Sequence, residues 1–154
     1  MRHPQVALVF VILLSAVASR AHAQWGPNGL AVCTDRSAEL LPKLVSDGAG
    51  GAIVTWLDFR NGFINVYAQR MSAAGIPLWP TRDFVGVSFT PNVADAPAIA
   101  PDGAGGAILT WQIMNGLSPV LYAQRLDASG VPQWVGGGVR VCLDNSAQTL
   151  PKIV

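Results

Sequence analysis

Histidine is almost missing from this chain. The two present, His3 and His22, both fall within the first 23 residues. Past that leader no imidazole remains to build a Ser-His-Asp or Cys-His site or a His-ligated metal centre. Charge is scarce too: Asp, Glu, Lys and Arg make up 12% of the residues, against a usual ~25%. The formal net charge is +1 and falls to −1 once Arg2 and Arg20 are removed with the leader. A near-neutral surface gives no electrostatic case for binding nucleic acid or an anionic membrane. Low charge fits sheets covered on both faces. Helical periodicity is also absent: across residues 24–154 no apolar residues recur at i, i+3, i+4, i+7 for long enough to specify a helix. After the leader, no apolar run approaches the ~20 residues needed to span a bilayer.

The leader itself is informative. Met1-Arg2-His3-Pro4 is followed by an apolar run from Val6 to Ala18 and then by Ala21-His22-Ala23. A basic start, a short apolar stretch and a small-x-small site form the layout of a secretory signal peptide. Cleavage is expected after Ala23, giving an exported protein, secreted or at the cell surface, with no membrane segment once residues 1–23 are gone. Cys33 and Cys142 are the only cysteines. They occupy equivalent positions two repeats apart, and a disulfide needs Cα atoms within about 7 Å. Both are therefore expected to be small buried apolar groups rather than a bridge.

What the chain has is a repeat. Asp47-Gly48-Ala49-Gly50-Gly51-Ala52-Ile53-Val54-Thr55-Trp56 returns 55 residues later as Asp102-Gly103-Ala104-Gly105-Gly106-Ala107-Ile108-Leu109-Thr110-Trp111. Tyr67-Ala68-Gln69-Arg70 returns as Tyr122-Ala123-Gln124-Arg125. Between Pro42–Trp79 and Pro97–Trp134 there are 18 identities in 38 positions without a gap. A partial copy precedes these. At a shift of 109, Trp25 matches Trp134, Val32-Cys33 matches Val141-Cys142 and Leu41-Pro42-Lys43 matches Leu150-Pro151-Lys152. One extra residue in the middle copy places Ser88 at the Cys position. Residues 24–154 thus hold about two and a half units, and a C-terminal truncation of a longer repeat array is expected. A period of this size marks a repeat architecture.

Within each unit, Ala52–Trp56 is short, β-branched and aromatic, and bounded by glycine, which predicts a strand. Lys43–Ser46 leads into it across Asp47–Gly51, whose glycines supply the positive φ of a tight turn. Asn65–Met71 predicts a further strand, and Val85–Phe89 a fourth extended piece, with Pro91 and Pro97 as breakers. Four antiparallel strands per 55 residues predict an all-β chain of incomplete β-propeller-like blades. A β-solenoid is the rival, though its coils are shorter. Fibronectin-like sandwiches need about 100 residues each.

The string Pro-x-Ile-Val-x-Asp-Gly-Ala-Gly-Gly-Ala-Ile-Val-Thr-Trp, with Tyr-Ala-Gln-Arg-Leu-Asp-Ala-x-Gly and the trailing Trp, resembles propeller-like repeat regions of large exported bacterial proteins. The resemblance covers nearly all of residues 24–154. It implies the fold and carries no activity with it.

Candidate chemistry is thin. Glycoside hydrolysis needs two facing carboxylates, and the candidates are Glu39, Asp58, Asp83 and Asp95. Asp58 has no acidic counterpart, since Ile113 takes its place. Asp47 and Asp102 are turn residues by position. Their loop offers one carboxylate where calcium wants six to eight oxygens, and it lacks the Gly-Lys-Ser/Thr of a phosphate loop. No catalytic, metal or cofactor site is expected. Trp56, Trp111, Tyr67 and Tyr122 recur in register and are expected in the core, with sugar stacking as the other reading. Arg70 and Arg125 are expected to close hydrogen bonds between units or to sit solvated. The sequence predicts a non-catalytic exported scaffold or interaction module whose partner is protein or polysaccharide. The alternatives are a carbohydrate-binding propeller module and the N-terminal part of a propeller enzyme. Open edges of Ala52–Trp56 and Ala107–Trp111 would favour self-association.

Overall fold

The computed structural model describes residues 28–80, 85–88, 94–116, 118–143 and 146–154. The signal-peptide assignment, Trp25, Asp83 and Pro91 lie outside the described residues. The described chain is all β, with no helix. It forms two four-stranded antiparallel sheets, each a simple meander. The first holds β1 (Glu39–Ser46), β2 (Ala52–Asp58), β3 (Asn65–Met71) and the two-residue β4 (Val85–Gly86). The second holds β5 (Ala94–Pro101), β6 (Ala107–Asn115), β7 (Ser118–Leu126) and the two-residue β8 (Val139–Arg140). The register of one sheet is that of the other moved by the repeat: Trp56 faces Tyr67 and Trp111 faces Tyr122.

The turn that joins the first two strands explains its own sequence. Asp47 Oδ1 accepts from the backbone N–H groups of Ala49 and Gly51, both at 2.8 Å, and Asp102 Oδ1 does the same for Ala104 and Gly106. Gly48 and Gly50 sit at φ +75° and +85°, where a Cβ would crowd the backbone. Gly51 faces a different limit: a Cβ there would lie 2.2 Å from the Met71 carbonyl oxygen. Each glycine is required, for one of two reasons.

Pro42 and Pro97 do not break strands, contrary to the sequence expectation for Pro97. Each lies inside the first strand of its sheet at a register shift, between Leu40 and Lys43 and between Asp95 and Ala98. The bulge leaves the proline out of the ladder, so its missing N–H costs no hydrogen bond. The residue before each proline adopts a left-handed conformation: Leu41 at φ 50°, Ala96 at 48°, and Leu150 at 53° before Pro151. The third copy therefore repeats the backbone of the other two.

The sheets stack face to face. Side chains alternate along a strand, so β2 presents Ile53, Thr55 and Leu57 on one side and Val54, Trp56 and Asp58 on the other. The isoleucine face of the first sheet packs on the tryptophan face of the second. One core joins Ile53, Leu57, Val66 and Ala68 to Leu109, Trp111 and Ile113, with Val45 and Ile99 at its margin. Ala52–Trp56 and Ala107–Trp111, flagged as a hazard if left on an edge, are the second strands of their sheets and are paired on both sides. Trp79 also crosses to the second sheet. Its indole lies over Gly130, where a Cβ would approach the ring to 2.7 Å, and its Nε1 donates to the Ala128 carbonyl at 3.1 Å. Arg70 Nη1 reaches the same carbonyl at 3.1 Å, so the expected contact between units is present for Arg70.

Candidate functional site

The two units differ most at the end of β2. Asp58 is 1% exposed, which is possible for a carboxylate only with dense pairing. Its Oδ1 accepts from Ser37 Oγ at 2.5 Å and from the Arg60 backbone N–H at 2.8 Å. Its Oδ2 accepts from Trp56 Nε1 at 3.3 Å and pairs with the Arg60 guanidinium. Arg60 in turn lies over the Tyr67 ring, 4.5 Å from its centroid, donates to Cys33 Sγ at 3.1 Å and comes within 4.0 Å of Asp35. Ser37 N–H closes the ring of contacts by donating to Asp35 Oδ1 at 2.9 Å.

The electrostatics follow from this pairing. Burial alone would raise the Asp58 carboxyl. The bonds from Arg60, Ser37 and Trp56 outweigh burial and hold it below the usual carboxylate range. Arg60 is pushed the other way: burial would lower it, but Asp58 and Cys33 favour its charge and raise it. Burial raises the Cys33 thiol, against the bonds from Asp35 N–H and Arg60. Burial also raises the Tyr67 phenol, whose oxygen accepts from Asn61 Nδ2 at 2.9 Å.

Of the predicted carboxylates, the structure brings two together. Glu39 pairs in register with Asp58, and one ligand atom from each, with Cys33 Sγ, lies within 4.8 Å of the others. Arg60 already supplies the positive charge that such a trio would seek. A glycosidase acid must hold a proton near neutral pH, which the depressed Asp58 does not. Asp95 lies in the other sheet, accepting from the Ala96 backbone N–H at 2.7 Å and from Gln112 Nε2 at 3.1 Å. Asp47 and Asp102 are turn residues, as expected, and each also pairs with an arginine, Arg70 at 2.9 Å and Arg125 at 3.0 Å. Trp56, Tyr67 and Trp111 are buried and Tyr122 partly so. Each Trp stacks on its cross-strand Tyr, with centroids 6.4 and 6.3 Å apart.

Neither cysteine is in a disulfide and both are half-buried, so Cys33 is less a core group than a polar contact of Arg60. Sequence reasoning missed Arg60, Ser37 and Cys33 as one cluster. The signal was present in the repeat itself: Asp58 and Arg60 correspond to Ile113 and Asn115 in the next copy. The cluster fastens residues 33–37 to the first sheet.

Beside it a cleft of about 430 Å³ is lined by Ala31, Val32, Cys33, Glu39, Pro42, Val54 and Trp56. A second cleft, about 520 Å³, gathers the three copies of the proline bulge: Leu41 and Lys43, Ala96–Ile99, and Leu150–Val154. Compared with protein-family models, with curated proteins and with solved structures, the chain matches none.

Proposed function

We propose that the chain is an exported, non-catalytic repeat scaffold of β-propeller-like blades that works through protein contacts and uses no cofactor. The observation that carries this reading is the difference between repeat-equivalent residues. Ile53 and Thr55 are 0% exposed, while Ile108 and Thr110, at the equivalent repeat positions, are part-exposed. Leu44 is 69% exposed, while its equivalent Ile99 packs against the core. Each sheet is thus built to mate with a copy of itself on either side.

Convergence of the three proline bulges on one cleft supports a radial, propeller-like arrangement over a linear coil, because it brings the first strands of successive units side by side. The leader supports export. The saturated pairing of Asp58 supports a structural role for this carboxylate, which Ile113 replaces in the second unit. Burial of Trp56, Trp111 and Tyr67 removes the stacking platforms that the carbohydrate-binding alternative needs.

The test is to recover the protein from outside the producing cell, determine its N-terminus and apply it to polysaccharide arrays and chromogenic glycosides. The expected product begins at Gln24, binds no glycan saturably and turns nothing over. An intact Met1 retained inside the cell, or saturable glycan binding, would overturn the proposal.

A further inference from the structure

Three Asn-Gly steps occur in the chain: Asn28-Gly29, Asn61-Gly62 and Asn115-Gly116. Asparagine is a chemically labile residue, most of all before glycine, whose missing Cβ lets its backbone nitrogen approach the asparagine side chain. The Gly62 nitrogen, giving up its proton, forms a bond to Asn61 Cγ. The bond from Cγ to Nδ2 breaks, and the amide nitrogen leaves with that proton as ammonia. The five-membered imide then takes up one water. Opening at one carbonyl leaves aspartate at position 61, and opening at the other leaves isoaspartate.

The fold requires this dipeptide and restrains it. Gly62 stands at φ +81°, a conformation that favours glycine. Its N–H donates to the Phe59 carbonyl at 3.0 Å and so closes a turn over residues 59–62. That contact occupies the attacking nitrogen. Asn61 Nδ2, the leaving group, donates to the Tyr67 phenolic oxygen at 2.9 Å. Both residues of the step are nevertheless exposed, so solvent reaches them once the turn opens.

The same turn carries the Asp58 cluster. The Arg60 backbone N–H donates to Asp58 Oδ1 at 2.8 Å, and the Arg60 guanidinium pairs with Asp58 and lies over the Tyr67 ring. Isoaspartate would lengthen the main chain by one carbon between positions 61 and 62. Either product takes the donor from Tyr67 and sets a new negative charge beside Arg60. We propose that Asn61 is a conditional deamidation site. The closed turn blocks the reaction, and an opening of the turn is converted by water into a lasting loosening of the Asp58 cluster. The proposal is independent of the scaffold reading.

Peptide mass mapping tests it. The full chain is held near neutral pH, folded in buffer and unfolded in urea, and then digested with pepsin in acid, where deamidation stops. In urea all three Asn-Gly steps are expected to exchange amide for acid at similar rates. In the folded chain position 61 is expected to react about tenfold or more slowly than in urea, because local opening must come first. Tyr67→Phe keeps a ring under Arg60 and removes the acceptor for Nδ2. It is expected to speed the folded reaction several-fold and to leave the urea rate unchanged. Hydrogen exchange gives a reading that needs no variant: the Gly62 amide should be protected in the folded chain. Refolded chain carrying the modification should alkylate at Cys33 faster than unmodified chain, since Arg60 no longer holds that thiol. Equal rates at position 61 in buffer and urea, no reaction there in urea, an unprotected Gly62 amide, or unchanged alkylation of Cys33 would overturn the proposal. An unchanged folded rate in Tyr67→Phe would overturn the part assigned to Tyr67.

Discussion

Trp56 Nε1 donates to Asp58 Oδ2 at 3.3 Å, while Trp111, at the same place in the next unit, has Ile113 where that carboxylate would be. Among the described residues, the Trp111 indole N–H is buried without an acceptor. Two identical side chains in identical strands therefore carry different energies. Trp56→Phe is expected to cost about 1–3 kcal/mol, because it takes a donor from a buried carboxylate. Trp111→Phe should cost no more than the lost ring area, leaving it about 1 kcal/mol or more above Trp56→Phe in stability. Chemical denaturation of both variants measures this, and equal losses would contradict it.

Acid should loosen the turns. Burial alone would raise Asp47 and Asp102, but the turn amides and Arg70 or Arg125 outweigh it and lower both. Their folded pKa values lie below the unfolded value of about 3.9. The stabilisation they give is complete above that pH and is lost as pH falls through the folded values. Unfolding scans should show a steep loss below about pH 4. Asp47→Asn and Asp102→Asn together should flatten that acid limb, and an unchanged limb would contradict the assignment.

Gly130 and Gly62 share a left-handed backbone, φ +82° and +81°, and differ in what lies next to them. A Cβ at Gly62 meets nothing within 4 Å, whereas at Gly130 it meets the Trp79 ring at 2.7 Å. Gly62→Ala should cost about 1–2 kcal/mol, the left-handed penalty alone. Gly130→Ala should cost about 1–3 kcal/mol beyond that, from overpacking. Trp79→Ala in the same chain should remove the excess. If the excess persists in the double variant, Trp79 is not its cause.

Cys33 and Cys142 should both remain thiols after export. Intact mass after alkylation without reductant is expected to show two added groups. Cys33 should react more slowly at pH 8 than a cysteine in an unfolded peptide, since burial raises its pKa and the thiolate is the reactive form. An unreactive pair with the mass of a disulfide would contradict the fold around Arg60.

Much of the architecture was legible in the residues. Asn65–Met71 matches β3 as read, and the glycine-bounded Ala52–Trp56 falls inside β2. Repeat spacing predicted that both would recur in the same register, because identical turns and identical alternation permit one pairing. The first strands were read too short, Lys43–Ser46 against Glu39–Ser46, because Pro42 looks like a stop until a bulge takes it out of the ladder. Arg70 was legible as a contact between units, but its pairing with Asp47 was not, since the two are brought together only across the sheet. The Asp58 cluster was half legible. A missing counterpart in the repeat flagged Asp58, while Cys33 and Ser37 approach it from a segment whose path no local pattern fixes.

The account turns on one arrangement, the isoleucine face of one sheet buried on the tryptophan face of the next. Ile53 and Ile108 test it most directly, because they hold equivalent repeat positions and the same place in the strand. Thermal unfolding of Ile53→Asp and Ile108→Asp at low concentration separates them. Ile53→Asp places an unpaired charge in the core and should abolish cooperative melting. Ile108→Asp lies on the open face and should change stability by about 1 kcal/mol or less. Equal losses at the two positions would contradict the stacking of the sheets.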